Sequence, residues 1–348
     1  MAKRKVSRPS RGHASRRAPR RAPALRAPAL PAPREVRAAL ETWQRTGDAR
    51  QLTRVAEALR SENPDTRYAA MYALTAAGPT AVPPLVRSLD DSRARWPALR
   101  VLHDLAPPDM KTKDSVQKLL GTADARVRHL AHRTLRRVIG AAPPEEVWQR
   151  MTSVSGRAAS LTTIIHGTWA EDDPWWRWPD RLPTYLDSVT HDVYRGADPF
   201  HWSGDNTHDA REKAARALIT WLAEHPVDRV RLVAHSHGGN VVFKATELAS
   251  AGEIQINLLV LLGTPMRDDY LPDLGKIRKV LNVYSEDDVV QWLGAFGHWR
   301  DDGRRLPDGS QITNLQVATR TSAPHSELHT EKLWQREGVE SAVRESLP

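Results

Sequence analysis

The stretch VRLVAHSHGGN, from Val230 to Asn240, decides the fold of the larger part of this chain. A short apolar run ends at Ser236, and Gly238 and Gly239 follow at once, as they do where a buried strand enters a sharp turn and then a helix. A helix that begins there offers unpaired N–H groups and the positive end of its dipole. The pattern therefore predicts a nucleophilic serine at an anion-stabilising turn, and the alternative is a glycine-rich turn with an incidental serine.

Three other stretches are candidates for the remaining groups of an acyl-transfer site, which are a base, an acid that orients the base, and an oxyanion hole. Each has an apolar run typical of a buried strand, followed by polar residues. They are LTTIIHGTW at 161–169, VLNVYSEDDVVQ at 280–291 and LQVATRTSAPHSEL at 315–328. Because the polar residues follow the strands, we expect them to meet at the carboxyl edge of one sheet, where open α/β sheets bind ligands.

Residues from about 158 to 348 resemble a bacterial α/β-hydrolase of the lipase and esterase type. The segment AHSHGG is similar to the nucleophile elbow of small bacterial lipases, in which alanine also replaces the first glycine, here at Ala234. The candidates Ser236, Asp287 and His325 follow the chain order Ser…Asp…His of that superfamily. The resemblance implies an α/β-hydrolase fold with a mostly parallel central sheet.

The same resemblance assigns the acid and the base. SEDDVVQ is similar to the segment around the family's catalytic acid, which puts Asp287 on the acid and leaves Asp288 as the second choice. HSEL is similar to the segment that follows the family's last strand, which puts His325 on the base. His329, one helical turn further on, is the second choice for the base.

The resemblance also implies an oxyanion hole. HGT is similar to the family's oxyanion loop, which puts His166 and Gly167 in that loop and the Thr168 N–H in the hole. The N–H of His237, the residue after the serine, would be its partner. The mechanism implied is acyl transfer to water through a covalent intermediate, without a cofactor.

Tryptophans and histidines cluster near the expected site. Trp169, Trp202 and Trp292 are candidates to line the pocket, and the alternative is that such aromatics anchor loops to the core. The chain has fourteen histidines, but their spacings match no closed ligand set, so we expect no metal.

Composition limits the remaining classes of protein. The chain has 348 residues and no cysteine, which excludes disulfides, thiolate catalysis and cysteine-ligated zinc. No apolar run approaches the length of a membrane span, and no apolar segment follows the N-terminal arginines as in a secretory signal. We therefore expect a cytoplasmic protein without a transmembrane segment.

The net charge of +9 belongs to the N-terminus. Residues 1–34 carry eleven basic residues and no acid, so the rest of the chain is close to neutral. Their Arg-Ala-Pro composition predicts a disordered tail. Such a tail is either a polybasic arm for an anionic partner or a solubilising extension. We favour the extension and do not expect nucleic acid as a partner, because no aromatic residue interleaves the arginines.

Residues 35–150 differ from the rest in being rich in alanine, leucine and arginine at helical spacing. The segments that begin at Arg67, Arg95 and Arg128 align with one another, and Asp65 and Asp124 closely precede two of the arginines. This pattern resembles HEAT repeats, which predicts an all-α repeat domain of stacked helix pairs. Such a domain either binds a protein partner or serves as a helical packing module.

Together these features predict a serine hydrolase that cleaves a carboxylic ester of a small molecule or a lipid. Two other interpretations stay open. One is an acyltransferase or thioesterase that uses the same triad. The other is an interaction protein whose HEAT-like domain binds a partner and whose hydrolase domain is degenerate.

Overall fold

The computed structural model describes residues 30–138, 159–299 and 302–347. Most of the predicted basic tail and residues 139–150 of the predicted helical domain lie outside these ranges. The end of the predicted tail is helical, because the first helix begins at Pro33 and includes Arg34. The chain has an α/β fold, in which a helical region precedes a five-stranded parallel sheet.

The helices predicted for the first region are present over residues 33–138. The α-helices are α1 (Pro33–Thr46), α2 (Ala49–Glu57), α3 (Pro64–Ala76), α4 (Val82–Ser88), α5 (Arg95–Leu105), α6 (Met110–Lys118) and α7 (Ala125–Val138). Short 3-10 turns join several of them at 58–60, 78–81 and 119–121. Pro33 and Pro64 stand in the first turns of α1 and α3, where a missing N–H costs nothing.

The repeated arginines make the same contacts in all three copies. Arg67, Arg95 and Arg128 each donate to backbone carbonyls five and six residues earlier in the chain, at the end of the preceding helix or turn. The residue four positions before each arginine accepts backbone N–H groups at the start of the next helix, and these residues are Asn63, Asp91 and Asp124. The repeat in the sequence is therefore a repeat of local structure.

The sheet is all-parallel, with its strands in sequence order. The strands are β1 (Leu161–Ile165), β2 (Val230–His235), β3 (Ile256–Leu262), β4 (Val280–Tyr284) and β5 (Ile312–Gln316). A single parallel bridge between Thr162 and Val193 extends the sheet beyond β1. Strands β1 to β4 are buried along almost their whole length, as expected for a parallel sheet covered on both faces.

Helices cover both faces of the sheet. The α-helices of this part are α8 (Arg181–Thr190), α9 (His208–Glu224), α10 (His237–Leu248), α11 (Val289–Gly294), α12 (Pro324–Glu327), α13 (Glu331–Arg336) and α14 (Val339–Ser346). Apolar residues of α9 and α10 pack on one face, and those of α8, α13 and α14 pack on the other. In the part of the chain that the structure describes, no helix is both long and apolar enough to cross a membrane.

The helical region packs over the carboxyl edge of the sheet. Its apolar core includes Trp169 from the loop after β1 and Val290 and Leu293 from α11. A buried ionic cluster lies beside this contact, where Arg100 of α5 pairs with Glu171 at 2.8 Å and with Asp205 at 3.3 Å. The two regions therefore share one continuous interior.

Candidate functional site

Ser236 lies at the sharp turn between β2 and α10, as the sequence predicts. Its φ of 54° and ψ of −135° are a strained combination for a residue with a side chain. The backbone segments around the turn pack too closely for any side chain at Gly167 or Gly238. A Cβ on Gly238 would lie 2.4 Å from the Ile165 carbonyl oxygen, and one on Gly167 would lie 2.7 Å from the Ser236 Cβ. The two glycines thus allow the loop after β1 to lie directly against the serine.

His325 forms a buried pair with Asp288. Its Nδ1 lies 2.7 Å from Asp288 Oδ2, and both side chains are at most 2% exposed. The second carboxylate oxygen of Asp288 accepts the Gln291 N–H at 2.8 Å, so that the residue also caps α11. Burial favours the neutral imidazole, but the charge and hydrogen bond of Asp288 outweigh it and raise the pKa of His325.

The prediction that Asp287 pairs with His325 is wrong. The Asp287 side chain is 52% exposed and pairs with Arg34 of α1. The second-choice acid, Asp288, takes the inner position because it is the N-cap of α11, which turns its carboxylate into the protein. A helix start at VVQW, directly after Asp288, is the signal in the sequence that distinguishes the two acids.

Asp65, on α3, contacts the segment that carries the histidine. Its carboxylate accepts the backbone N–H of His325 at 2.6 Å, the N–H of Ser326 at 3.2 Å and the Ser326 hydroxyl at 2.7 Å. Burial raises the pKa of Asp65, an effect that the nearby His325 opposes. The N-cap of α3 is Asn63 and not Asp65. The Asp65 carboxylate is therefore available to accept the N–H groups at the start of α12.

The other histidines at this site are neutral, and all but the half-buried His329 are fully buried. Burial lowers the pKa of His166 to about 3 and that of His329 to about 4, and it also lowers the pKa values of His235 and His237. His329, the second choice for the base, stacks on Trp175 at 4.2 Å between ring centroids. Of the five histidines around the serine, His325 is the one whose pKa is raised.

The two predicted oxyanion donors belong to the segments that meet at the serine. His237 is the first residue of α10, where backbone N–H groups have no helical acceptor, and Thr168 follows the glycine that touches Ser236. The His166 side chain stabilises this loop. Its Nδ1 contacts the Gly167 carbonyl at 2.9 Å, and its ring stacks against Trp202.

Tyr72, on α3 of the helical region, contacts the side chain of His237. Its hydroxyl lies 2.8 Å from Nδ1 of His237, and its ring packs on Trp169 with centroids 4.7 Å apart. Burial raises the pKa of Tyr72 to about 12. The tyrosine is therefore a neutral hydroxyl on the cavity that the serine also lines. In the sequence, Tyr72 carries no signal for this position and Asp65 belongs to the repeat pattern, because both lie in the region interpreted as a separate repeat domain.

A cavity of about 590 Å³ opens onto the serine between the two regions. The sheet region contributes Ser236, Thr168 and His325 to its lining, and the helical region contributes Tyr72 and Trp96. Arginines 60, 67, 93 and 126 also line it. The volume is in the range of small-molecule sites, roughly 300–1,000 Å³.

The three tryptophans predicted to line the pocket have different positions. Trp169 does line the cavity, but it is fully buried and donates its ring N–H to Asp104 at 2.8 Å. Trp202 is in the core, with its ring N–H on the His166 carbonyl, and Trp292 packs against Phe296 outside the cavity lining. The pocket prediction is thus wrong for Trp202, which anchors a loop, and for Trp292, which packs from α11 against the core of the helical region.

One group of described side chains has the spacing of metal ligands, and it lies away from the cavity. Ligand atoms of Asp268, Asp269 and His298 come within 4.8 Å of one another, and all three residues are exposed. Exposed acidic groups of this kind are common without a metal, and none of the three lines the cavity.

Comparisons with known proteins add little to this geometry. No family model and no curated protein matches the chain. Among solved structures, the chain is similar to an uncharacterized protein from Bacillus cereus. The two are 13% identical, the match covers 76% of this chain and 83% of that one, and its TM-score of 0.25 is too low to carry a conclusion.

Proposed function

We propose that this protein is a serine hydrolase that cleaves a carboxylic ester through Ser236, His325 and Asp288. The observation that carries the proposal is the joint placement of a strained serine turn and a buried His–Asp pair on one cavity. Such strain is costly and persists where the surrounding structure enforces it, often at functional sites. The raised pKa of His325 beside a carboxylate is what a general base needs.

The reaction follows from these positions. Ser236 Oγ attacks the ester carbonyl carbon while His325 takes the serine proton, and the carbonyl oxygen becomes an oxyanion. Asp288 holds the imidazole and stabilises its cation. The oxyanion then collapses, the alcohol leaves with the proton from His325, and water repeats the cycle on the acyl-enzyme. The His237 and Thr168 N–H groups would hold the oxyanion, and the loss of one such donor costs about 3–4 kcal/mol.

The proposal also includes the fold family of each of the two regions. We propose that the sheet region is an α/β-hydrolase fold, because its nucleophile, acid and histidine follow β2, β4 and β5, in the superfamily's order. We also propose that the helical region is HEAT-like, because its three arginines repeat one set of backbone contacts. The packing of α3 over the site favours a helical packing module over a separate partner-binding surface.

A burst experiment tests the proposal. Wild-type protein mixed with p-nitrophenyl esters of increasing acyl length should release p-nitrophenol in a rapid phase of one equivalent, followed by slower turnover, because the acyl-enzyme accumulates. Ser236→Ala and His325→Ala should lose both phases. Asp287→Asn is the matched control and should keep both. A folded wild-type protein that releases no p-nitrophenol from any ester would contradict the proposal.

A further inference from the structure

The helical region brings a side-chain hydroxyl to the place where charge develops in the proposed reaction. Tyr72 reaches His237 from 165 positions earlier in the chain, with its hydroxyl 2.8 Å from the ring Nδ1. Tyr72, Thr168 and Ser236 line the same cavity. The Tyr72 hydroxyl thus lies beside His237 and on the cavity that the nucleophile and the Thr168 part of the proposed oxyanion hole also line.

The tautomer of His237 decides which group can accept the hydrogen bond of the Tyr72 hydroxyl. Nε2 of His237 is buried and has no partner of normal hydrogen-bond geometry among the described residues. A hydrogen on Nε2 would be a buried unpaired donor, which is rarer and costlier than a buried unpaired lone pair. In the tautomer with its hydrogen on Nδ1, His237 avoids this cost and donates that hydrogen to the Tyr72 oxygen. The hydrogen of Tyr72 is then free to point toward Ser236 and its substrate.

The surroundings hold the tyrosine in this position. Its ring is about 5% exposed and packs on Trp169, which is itself fixed by the hydrogen bond from its ring N–H to Asp104. A hydroxyl that is positioned before the reaction needs no reorganisation when charge develops, which is the condition for strong electrostatic stabilisation. Because Tyr72 remains neutral, it acts as a hydrogen-bond donor and not as a base.

We propose that Tyr72 is a catalytic residue that donates a third hydrogen bond to the oxyanion, together with the N–H groups of His237 and Thr168. This inference rests on the proposed function. When Ser236 Oγ bonds to the acyl carbon, the carbonyl oxygen takes the electron pair of the double bond, and the Tyr72 O–H hydrogen bonds to that oxygen without transferring its proton. The helical region thereby completes the active site.

The test compares Tyr72→Phe with Tyr185→Phe. Tyr185, on α8, is also buried and donates its hydroxyl to Glu340, but it does not line the cavity. On the fastest p-nitrophenyl ester, Tyr72→Phe should lower kcat by about 10²–10³-fold with little change in KM, because the lost bond forms in the transition state. Tyr185→Phe should keep kcat close to the wild-type value.

A transition-state analogue separates this role from a structural one. A trifluoromethyl ketone forms a tetrahedral adduct with the serine, and its affinity should fall in Tyr72→Phe by the same factor as kcat. The melting temperature should fall by only a few degrees, since the ring remains and the cost is that of one buried hydrogen bond. A Tyr72→Phe variant with unchanged kcat, or with unchanged affinity for the ketone, would overturn the inference and leave the proposed function standing. A wild-type protein without esterase activity would overturn both.

Discussion

Ser236 and Asp288 are both held in place by the helices that begin beside them. Ser236 takes a strained backbone conformation at the start of α10, and Asp288 is the N-cap of α11. Asp288 uses one carboxylate oxygen for the cap and the other for His325. An acid fixed in this way keeps the imidazole in one tautomer, with its Nδ1 hydrogen toward the carboxylate.

Replacing the two neighbouring acids tests which of them serves the histidine. We expect Asp288→Asn to lower kcat by about 10⁴-fold, the effect of losing the correct histidine tautomer in a triad. Asp287→Asn should have nearly the wild-type kcat, because Asp287 is half exposed and pairs with Arg34. Steady-state ester hydrolysis measures both. Loss of activity in Asp287→Asn, with Asp288→Asn unaffected, would restore the assignment made from the sequence.

At the scale of elements, α3 is the helix that links the two regions. It supplies Tyr72 to the side chain of His237 and Asp65 to the segment of His325, and it packs against α11 and α12. Asp65 holds the first N–H groups of α12, a helix of four residues that has too few internal hydrogen bonds to fix itself. The orientation of His325, the proposed base, therefore depends on a residue 260 positions earlier.

The pH dependence of ester hydrolysis tests this link. Asp288 and Asp65 together raise the pKa of His325, so the wild-type kcat/KM should rise with pH through a value above the usual histidine pKa of about 6.5. Asp65→Asn removes one of the two negative charges, so the rise should move to lower pH.

Asp173→Asn is the control for this pH measurement. Asp173 also lines the cavity, but it contacts Tyr68 and does not appear among the groups that shift the pKa of His325. The pH range through which kcat/KM of Asp173→Asn rises should be the same as for wild type. An Asp65→Asn profile that coincides with that of wild type would show that Asp65 does not influence the base.

The elements at the site were predictable where the signal is local. An apolar run followed by small or polar residues located the strand ends at 165, 235 and 284, and with them the serine and its oxyanion loop. The choice between Asp287 and Asp288 needed a different local signal, the start of α11 directly after Asp288, because the strand pattern is the same for two adjacent acids. Tyr72 and Asp65 were missed because their contacts cross from one region to the other.

At the scale of the whole molecule, a buried ionic cluster joins the helical region to the sheet region. Arg100 of α5 is 1% exposed and pairs with Glu171 and Asp205, while Arg133 of α7 also contacts Asp205. Asp104 lies in the same cluster, where burial raises its pKa to about 7. A buried carboxylate that loses its cationic partner lowers the stability of the folded protein. The charges of this cluster therefore stabilise the fold only when they are paired.

Removing the central cation should therefore destabilise the protein. We expect Arg100→Met to lower the free energy of unfolding by about 3–5 kcal/mol, because Glu171 and Asp205 lose a buried partner. Arg216→Met removes an exposed partner of Glu212 on α9 and should unfold at nearly the wild-type denaturant concentration. Urea denaturation followed by circular dichroism measures both. Equal midpoints for Arg100→Met and wild type would show that the cluster does not hold the regions together.

The central claim is that Ser236 is an activated nucleophile, and active-site labelling tests it most directly. A fluorophosphonate should label wild-type protein at one residue, and peptide mass mapping should place the label on Ser236. Labelling should be absent in Ser236→Ala and slowed strongly in His325→Ala and Asp288→Asn, while Asp287→Asn should react as fast as wild type. Folded wild-type protein that takes no label, or takes it at another residue, would contradict the account.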